Sequence, residues 1–228
     1  MADHYPPRPL YVRKRDPVAA WCQKYAYISD TMQRLTDEIM AHVGGLPEGR
    51  GIAAKALLHL GNRAAVDQAL SRLVRRGRPN RVGRGLYLPP VLGRFGTRAP
   101  SIEEAVRAIG ARGGEIIAPT GATAANKLGL TTQAPVQSIY LTSGRSRTIS
   151  FGKQTLEFRH VPGWQTVLSD RPAGDAIRAL GWLGPERAEA GLATVKARLA
   201  LADLSELAAS APQLLSWLTR CVTKCVSG

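Results

Sequence analysis

Apolar residues recur at helical spacing in three short segments that follow one another in the first half of the chain. The first segment starts at Met32 and is stopped by the glycine pair at 44–45, and the second covers 52–60. Asn62 suits the N-cap of the third segment, and Gly77 suits its end. The apolar stripe of that third segment consists of Val66, Ala69, Leu70, Leu73 and Val74. The pattern predicts three consecutive helices.

The helical spacing of apolar residues ends after the third helix, and glycines and residues with a preference for β-strands follow. Residues 81–89 place Gly83 and Gly85 between apolar residues, which predicts a β-hairpin. Helix, short helix, helix and hairpin in this order are typical of a winged helix-turn-helix, in which the hairpin is the wing. The sequence therefore predicts a winged helix-turn-helix over residues 32–98.

The rest of the chain is expected to form an N-terminal arm and a second domain. Residues 1–31 contain several prolines and no sustained apolar period, so we expect a flexible arm. Residues 99–228 are expected to begin with a helix capped by Ser101, to continue as strands with a hairpin over 148–160, and to end in helices. The predicted fold class is α+β, with the winged helix followed by an α+β domain.

Positive charge is concentrated in one part of the chain. The protein has 31 Lys and Arg against 17 Asp and Glu, which gives a net charge of +14 and an isoelectric point near 10.4. Residues 50–98 hold eleven basic residues and one acidic residue, Asp67, whereas residues 99–228 hold fourteen basic and ten acidic residues. A focused cationic patch is typical of a surface that binds a polyanion. The patch coincides with the predicted winged helix, which favours duplex DNA over RNA or an acidic membrane.

The third helix and the wing carry the predicted DNA contacts. The helix face opposite the apolar stripe is basic and rich in hydrogen-bonding groups, and a helix of this kind fits the major groove. The first turns of such a helix normally reach the bases, so the predicted base contacts are Asn62, Arg63, Asp67 and Gln68. The other predicted DNA-binding residues, farther along the helix or in the wing, are Ser71, Arg72, Arg75, Arg76, Arg78, Asn80, Arg81 and Arg84.

Combinations of residues that indicate catalysis are missing from the sequence. It has no nucleophile elbow, Walker loop, metal-spaced histidine pair or carboxylate cluster. Cys221 and Cys225 lie one helical turn apart without a nearby histidine, so neither a zinc site nor a disulfide framework is expected. No apolar run is long enough for a membrane span, and the N-terminus lacks a signal-peptide pattern. We expect a cytoplasmic protein that is not an enzyme and needs no cofactor or metal.

Several short motifs resemble the AbiEi-type antitoxins of type IV toxin-antitoxin systems, and most closely their DUF6088 branch. The motifs are VGRGLY at 82–87, PTGATAANKLGL at 119–130, QAP at 133–135, YLTSGRSR at 140–147 and FRH at 158–160. The resemblance extends over about residues 32–198. It implies a winged helix that represses its own operon and a C-terminal domain that counteracts a nucleotidyltransferase-like toxin encoded next to it. In such systems the antitoxin acts without a stable toxin complex, and the systems are associated with abortive phage infection.

Two other functions are compatible with the residues. The first is a winged-helix transcription factor without a toxin partner, whose second domain senses a ligand or forms a dimer. The second is an enzyme that acts on nucleic acid. The basic loop at Arg145 and Arg147 is equally consistent with a partner surface, a second DNA contact or an ordinary solvated loop.

Overall fold

The computed structural model describes residues 17–46, 50–94, 96–133 and 137–227, which form an α+β fold that ends in helices. Its elements are α1 (Pro17–Gly44), β1 (Ile52–Ala53), α2 (Arg63–Arg75), β2 (Asn80–Gly83), β3 (Leu86–Leu88), β4 (Val91–Gly93), β5 (Gly96–Arg98), α3 (Ile102–Gly113), β6 (Ile117–Pro119), α4 (Gly121–Lys127), β7 (Ser138–Thr142), β8 (Arg147–Phe151), β9 (Gln154–His160), α5 (Pro172–Leu183), α6 (Pro185–Arg198), α7 (Leu201–Ala209) and α8 (Ser216–Ser227). Short 3-10 turns cover 54–57, 163–165 and 211–213.

Helix α1 begins earlier than the sequence pattern predicts. It starts at Pro17, whose fixed φ suits the first turn of a helix, and neither glycine nor proline interrupts residues 18–43. The predicted flexible arm is corrected for residues 17–31, which are helical, while residues 1–16 lie outside the described residues.

The second predicted helix, over 52–60, is also corrected. Residues 52–53 form strand β1, which pairs antiparallel with β3 so that Ile52 lies opposite Tyr87. Residues 54–57 form a single 3-10 turn. The helical spacing of apolar residues over 52–60 is too short to hold a helix against the pairing of residues 52–53 with β3.

Helix α2 and the hairpin that follows it confirm the local predictions. Asn62 caps α2, and Gly77 ends the helix with a φ of +72°. Strands β2 and β3 pair antiparallel across the turn at Arg84-Gly85, where Gly85 has a φ of +69°. Together with β1 they form a three-stranded sheet in the order β1-β3-β2, so that β2 is an edge strand.

Strand β3 joins two hydrophobic cores because its side chains alternate between the faces of the sheet. Tyr87 belongs to an N-terminal core with the apolar faces of α1 and α2. Leu86 and Leu88 belong to a middle core with residues of α3 and of the second sheet, including Leu156 and Phe158. The middle core therefore continues across the predicted domain boundary at residue 98.

The second sheet has four strands in the order β6-β7-β9-β8. Strands β7 and β9 are parallel, and β8 and β9 confirm the hairpin predicted over residues 148–160. Strand β8 is the edge of this sheet and runs beside β2, the edge of the first, without joining it in one sheet. Helices α4 to α8 enclose a third core behind the sheet.

Glu115 holds the loop between β7 and β8 against the start of β6. Arg147 donates two hydrogen bonds to its carboxylate, at 3.0 and 2.7 Å, and Thr142 donates a third at 3.1 Å. The hydrogen bonds from Arg147 lower the pKa of Glu115 below its usual value, although partial burial acts to raise it. The guanidinium of Arg147 also lies 5.1 Å from the ring centroid of Phe158, in cation–π range.

We expect Glu115→Gln to lower the free energy of unfolding by roughly 1 to 2 kcal/mol at neutral pH, because a charge-assisted bidentate pair is lost. A depressed folded pKa means that the carboxylate stabilises the fold above its unfolded pKa and loses this effect as the pH falls through the folded pKa. Denaturant unfolding at several pH values should therefore show the two proteins converging in acid. Glu157→Gln, in the exposed pair with Arg159, is the control and should change little. A constant difference at every pH would contradict this role.

Candidate functional site

The exposed side of α2 gathers half of the predicted DNA-binding residues on one face. Val66, Ala69, Leu70 and Leu73 are buried in the N-terminal core, and this fixes which side of the helix faces solvent. The opposite side, which we term the α2 face, consists of Arg63, Ala64, Asp67, Gln68, Ser71, Arg72 and Arg75. These positions repeat every three to four residues and lie along one stripe.

The first turns of α2 are ordered by hydrogen bonds between neighbouring residues. The side-chain oxygen of Asn62 accepts a hydrogen bond from the backbone N–H of Ala65 at 2.9 Å, which leaves its amide nitrogen as the group able to donate outward. Arg63 pairs with Asp67 at 2.8 Å, four residues along the helix, and both side chains are about half exposed. Both groups of this pair remain accessible to a ligand.

The last turn of α2 and the loop after it carry four arginines. Arg72, Arg75, Arg76 and Arg78 are all exposed, and the positive φ of Gly77 lets the chain reverse direction between them. The backbone N–H of Arg78 donates to the carbonyl of Leu73 at 2.9 Å, which closes the helix end. Cations at a helix C-terminus also interact favourably with its dipole.

The β2–β3 hairpin adds two exposed arginines and one partly buried asparagine. Asn80 lies opposite Leu88 at the start of β2, while Arg81 and Arg84 are exposed. Within the described part of the chain, neither arginine has an ion-pair partner. Val74 in the last turn of α2 lines the same cleft as these hairpin residues, so helix end and hairpin are neighbours.

Arg112 is a residue near the hairpin that the sequence pattern did not identify. It lies on α3 and donates a hydrogen bond to the backbone carbonyl of Arg84 at 2.9 Å. The two residues are 28 positions apart, and only the middle core brings them together. A basic residue on a helix outside the predicted winged helix gave no local signal.

The basic loop between β7 and β8 carries one arginine that forms an ion pair within the fold and one that does not. Arg147 is held by Glu115 and contributes to the fold. Arg145 is exposed, and no described residue forms an ion pair with it. The loop is fixed further by His160, whose ring nitrogen hydrogen-bonds the Gly144 carbonyl at 2.8 Å.

The described ranges offer little that would indicate a metal site, a reactive thiol or a membrane span. There, no three histidine, cysteine or acidic side chains lie close enough to hold a metal ion. Cys225 is buried, and this burial raises the pKa of its thiol. No helix in those ranges is long and apolar enough to cross a membrane.

Comparison with known proteins gives one match. The model of a family described as a family of unknown function, DUF6088, matches residues 38–200, which is more than half of the chain. No curated protein and no solved structure matches. The matched region includes the α2 face, the β2–β3 hairpin and the second sheet. The resemblance to the AbiEi-type antitoxins stays a prediction.

We expect Asn62→Ala to lower the free energy of unfolding by about 1 kcal/mol, because the first turn of α2 loses its side-chain cap. Asn62→Ser keeps a capping oxygen and should retain most of the stability. Thermal unfolding of the three proteins measures the effect. Equal losses in both variants would show that the cap contributes nothing.

Proposed function

The chain belongs to DUF6088, a family of unknown function, and from this premise we propose that residues 32–98 form a winged helix-turn-helix that binds duplex DNA. In this proposal α2 is the recognition helix and the β2–β3 hairpin is the wing. The observation that carries the proposal is a continuous set of exposed arginines on α2 and on this hairpin, with Asp67 as the one acidic side chain among them.

The order and pairing of the elements support a winged helix. A helix, a short strand, a turn, a second helix and a hairpin follow one another, and the short strand completes the hairpin's sheet in the order β1-β3-β2. In a winged helix-turn-helix the recognition helix comes immediately before the wing, and α2 comes immediately before the β2–β3 hairpin. The turn at residues 54–57 takes the place of a longer second helix.

The distribution of contacts follows from the geometry of α2. Asn62, Arg63, Asp67 and Gln68 lie on the first turns, where a recognition helix reaches base edges. The arginines at its C-terminal end, together with Arg81 and Arg84, are suited to phosphates. Because Asp67 is paired with Arg63, the two are expected to contact the groove as one unit with little net charge.

We propose further that this DNA-binding protein is an antitoxin that represses its own toxin-antitoxin operon. The support is the resemblance of several short motifs to those of the AbiEi-type antitoxins. The α+β domain would then counteract a nucleotidyltransferase-like toxin, and Arg145 is an exposed group on the loop that carries one of the shared motifs.

A second candidate function is a winged-helix regulator that responds to a small ligand. The observation that favours it is a cleft of about 820 Å³ between the β2–β3 hairpin and the α+β domain, within the volume range of small-molecule sites.

DNA binding is tested by footprinting on the region upstream of the gene and by gel shifts at several salt concentrations. About ten phosphate contacts would give a slope of roughly −9 for log affinity against log salt. Arg63→Ala and Gln68→Ala should each cost roughly 1 to 3 kcal/mol on the preferred site and relax sequence preference, whereas Arg84→Ala should weaken all sequences alike.

Two variants make this test sharper. Arg63→Ala leaves Asp67 as an unpaired carboxylate, so the double variant Arg63→Ala with Asp67→Ala separates the loss of a contact from added repulsion. Arg220→Ala removes an exposed arginine on α8, outside the proposed interface, and should leave affinity unchanged. Unchanged gel shifts for Arg63→Ala, Gln68→Ala and Arg84→Ala would exclude this interface.

The antitoxin role is tested in cells by co-expressing the protein with the product of the adjacent gene. We expect the wild-type protein to rescue growth. We expect the same of a variant in which six arginines are replaced, namely Arg72, Arg75, Arg76, Arg78, Arg81 and Arg84. Repression of the operon should be lost only in that variant. The absence of a nucleotidyltransferase-like neighbour, together with no rescue, would leave DNA binding as the function.

A further inference from the structure

The cleft between the β2–β3 hairpin and the α+β domain has the size and position of a ligand site. Residues of the hairpin form one wall, the end of α3 forms the back, and strand β8 forms the other wall. Its volume of about 820 Å³ falls within the range of pockets that enclose small molecules, and such pockets favour the junctions between structural units.

The rim of the cleft is cationic. Arg81, Arg84 and Arg112 line it, none of them has an ion-pair partner among the residues that the structure describes, and no acidic side chain lines the cleft. Arg147 also lines it, but its charge is already balanced by Glu115. Three uncompensated guanidinium groups around one cavity favour a ligand that carries phosphate.

The floor of the cleft is apolar. Val82, Leu86 and Ile109 are nearly fully buried residues of the middle core, and Ile149 contributes from β8. A DNA backbone gains little from an apolar floor, because its phosphates and sugars are hydrated and its bases are stacked inside the duplex. A small molecule with a flat ring gains from burying the ring on that floor.

Residues with hydrogen-bonding groups also line the cleft. Strands β2 and β8 are the edges of their sheets, so each has one side without a strand partner. Asn80 on β2, and Thr148 and Ser150 on β8, add an amide and two hydroxyl groups. Such groups match the ring nitrogens and exocyclic groups of a nucleobase.

We propose that this cleft binds a nucleoside phosphate, with the base on the apolar floor and the phosphates between Arg81, Arg84 and Arg112. The regulatory part rests on the proposed DNA-binding function: Arg81 and Arg84 are predicted phosphate contacts of the wing, so nucleotide and DNA compete for them. By linkage, each ligand lowers the affinity for the other by the same factor.

Binding is tested first without DNA, by calorimetric titration of the full-length protein with ATP, GTP, CTP and UTP. Adenosine lacks the phosphates and inorganic triphosphate lacks the base, so both should bind at least about tenfold more weakly than a nucleotide that uses both halves of the cleft. Inorganic triphosphate binding as tightly as every nucleotide would overturn the assignment of the floor to a base.

Two variants locate the site. Arg112→Gln removes one rim charge and should weaken the nucleotide about tenfold, whereas Arg112→Lys keeps the charge and should weaken it less. Asn80→Asp replaces an amide by a carboxylate of the same size on the hairpin wall, where it should repel phosphate. This variant also tests the site if Arg112→Gln fails to fold, because wild-type nucleotide affinity in Asn80→Asp would overturn the site.

Competition is tested by repeating the gel shifts with saturating nucleotide. Wild-type protein should lose DNA affinity, and its salt slope should fall by about two as two phosphate contacts are lost. Ile149→Ala trims the apolar floor on β8 and is not among the proposed DNA contacts, so it should bind DNA normally and respond less to nucleotide. Weaker DNA binding by Ile149→Ala in the absence of nucleotide would instead assign the cleft to the DNA interface and overturn the proposal.

The two proposals fail in different ways. If the wild-type protein binds no DNA, the proposed function and the competition fail together, while the titrations still decide whether the cleft binds nucleotide. If DNA binds but no nucleotide does, the cleft assignment alone fails.

Discussion

The burial of strand β3 between two cores is the constraint on which the rest of the structure depends. Its middle residue, Tyr87, packs among the N-terminal helices, while Leu86 and Leu88 pack on the opposite side against α3 and the second sheet. A strand that is buried on both faces cannot shift its register by one residue without exchanging the two sets of side chains. The hairpin therefore has one position relative to α2 and to the α+β domain at the same time. The cationic hairpin is therefore a fixed part of the proposed DNA interface and of the cleft beside β8.

Ion pairing within the fold explains why the arginines around this hairpin remain available. Three acidic residues in or near the cationic region have partners of their own: Asp67 pairs with Arg63, Glu104 with Arg98, and Glu115 with Arg147. The hydrogen bond from Arg98 also lowers the pKa of Glu104. Arginines outside these pairs keep their full charge for an external anion. The positive balance of residues 50–98 is thus located chiefly at the end of α2 and in the β2–β3 hairpin, and Arg112 on α3 adds a further positive charge beside the hairpin.

Features set by neighbouring residues were predictable from the sequence, and features set by distant ones were not. The caps at Asn62 and Ser101 and the stop at Gly77 depend on a few adjacent residues, and the structure has all of them. Strand β1 exists only because β3 pairs with it, so its two residues could not be told from the start of a helix. The place of Arg112 beside Arg84 required knowledge of the middle core. For the same reason the sequence of the basic loop did not indicate that Arg147 forms an ion pair with Glu115.

The side-by-side arrangement of β2 and β8 has a consequence for how the protein behaves at high concentration. An edge strand offers unpaired backbone groups to any passing chain, and here two edges from different sheets lie next to each other, flanked by arginines. Each strand screens the other from intermolecular strand addition, and the like charges around them repel a second copy of the chain. Separation of the hairpin from the α+β domain would uncover both edges together with Leu86 and Leu88. A partly unfolded molecule that has lost the contact between β2 and β8 would therefore expose two edge strands at once, and we expect it to aggregate more readily than the folded protein.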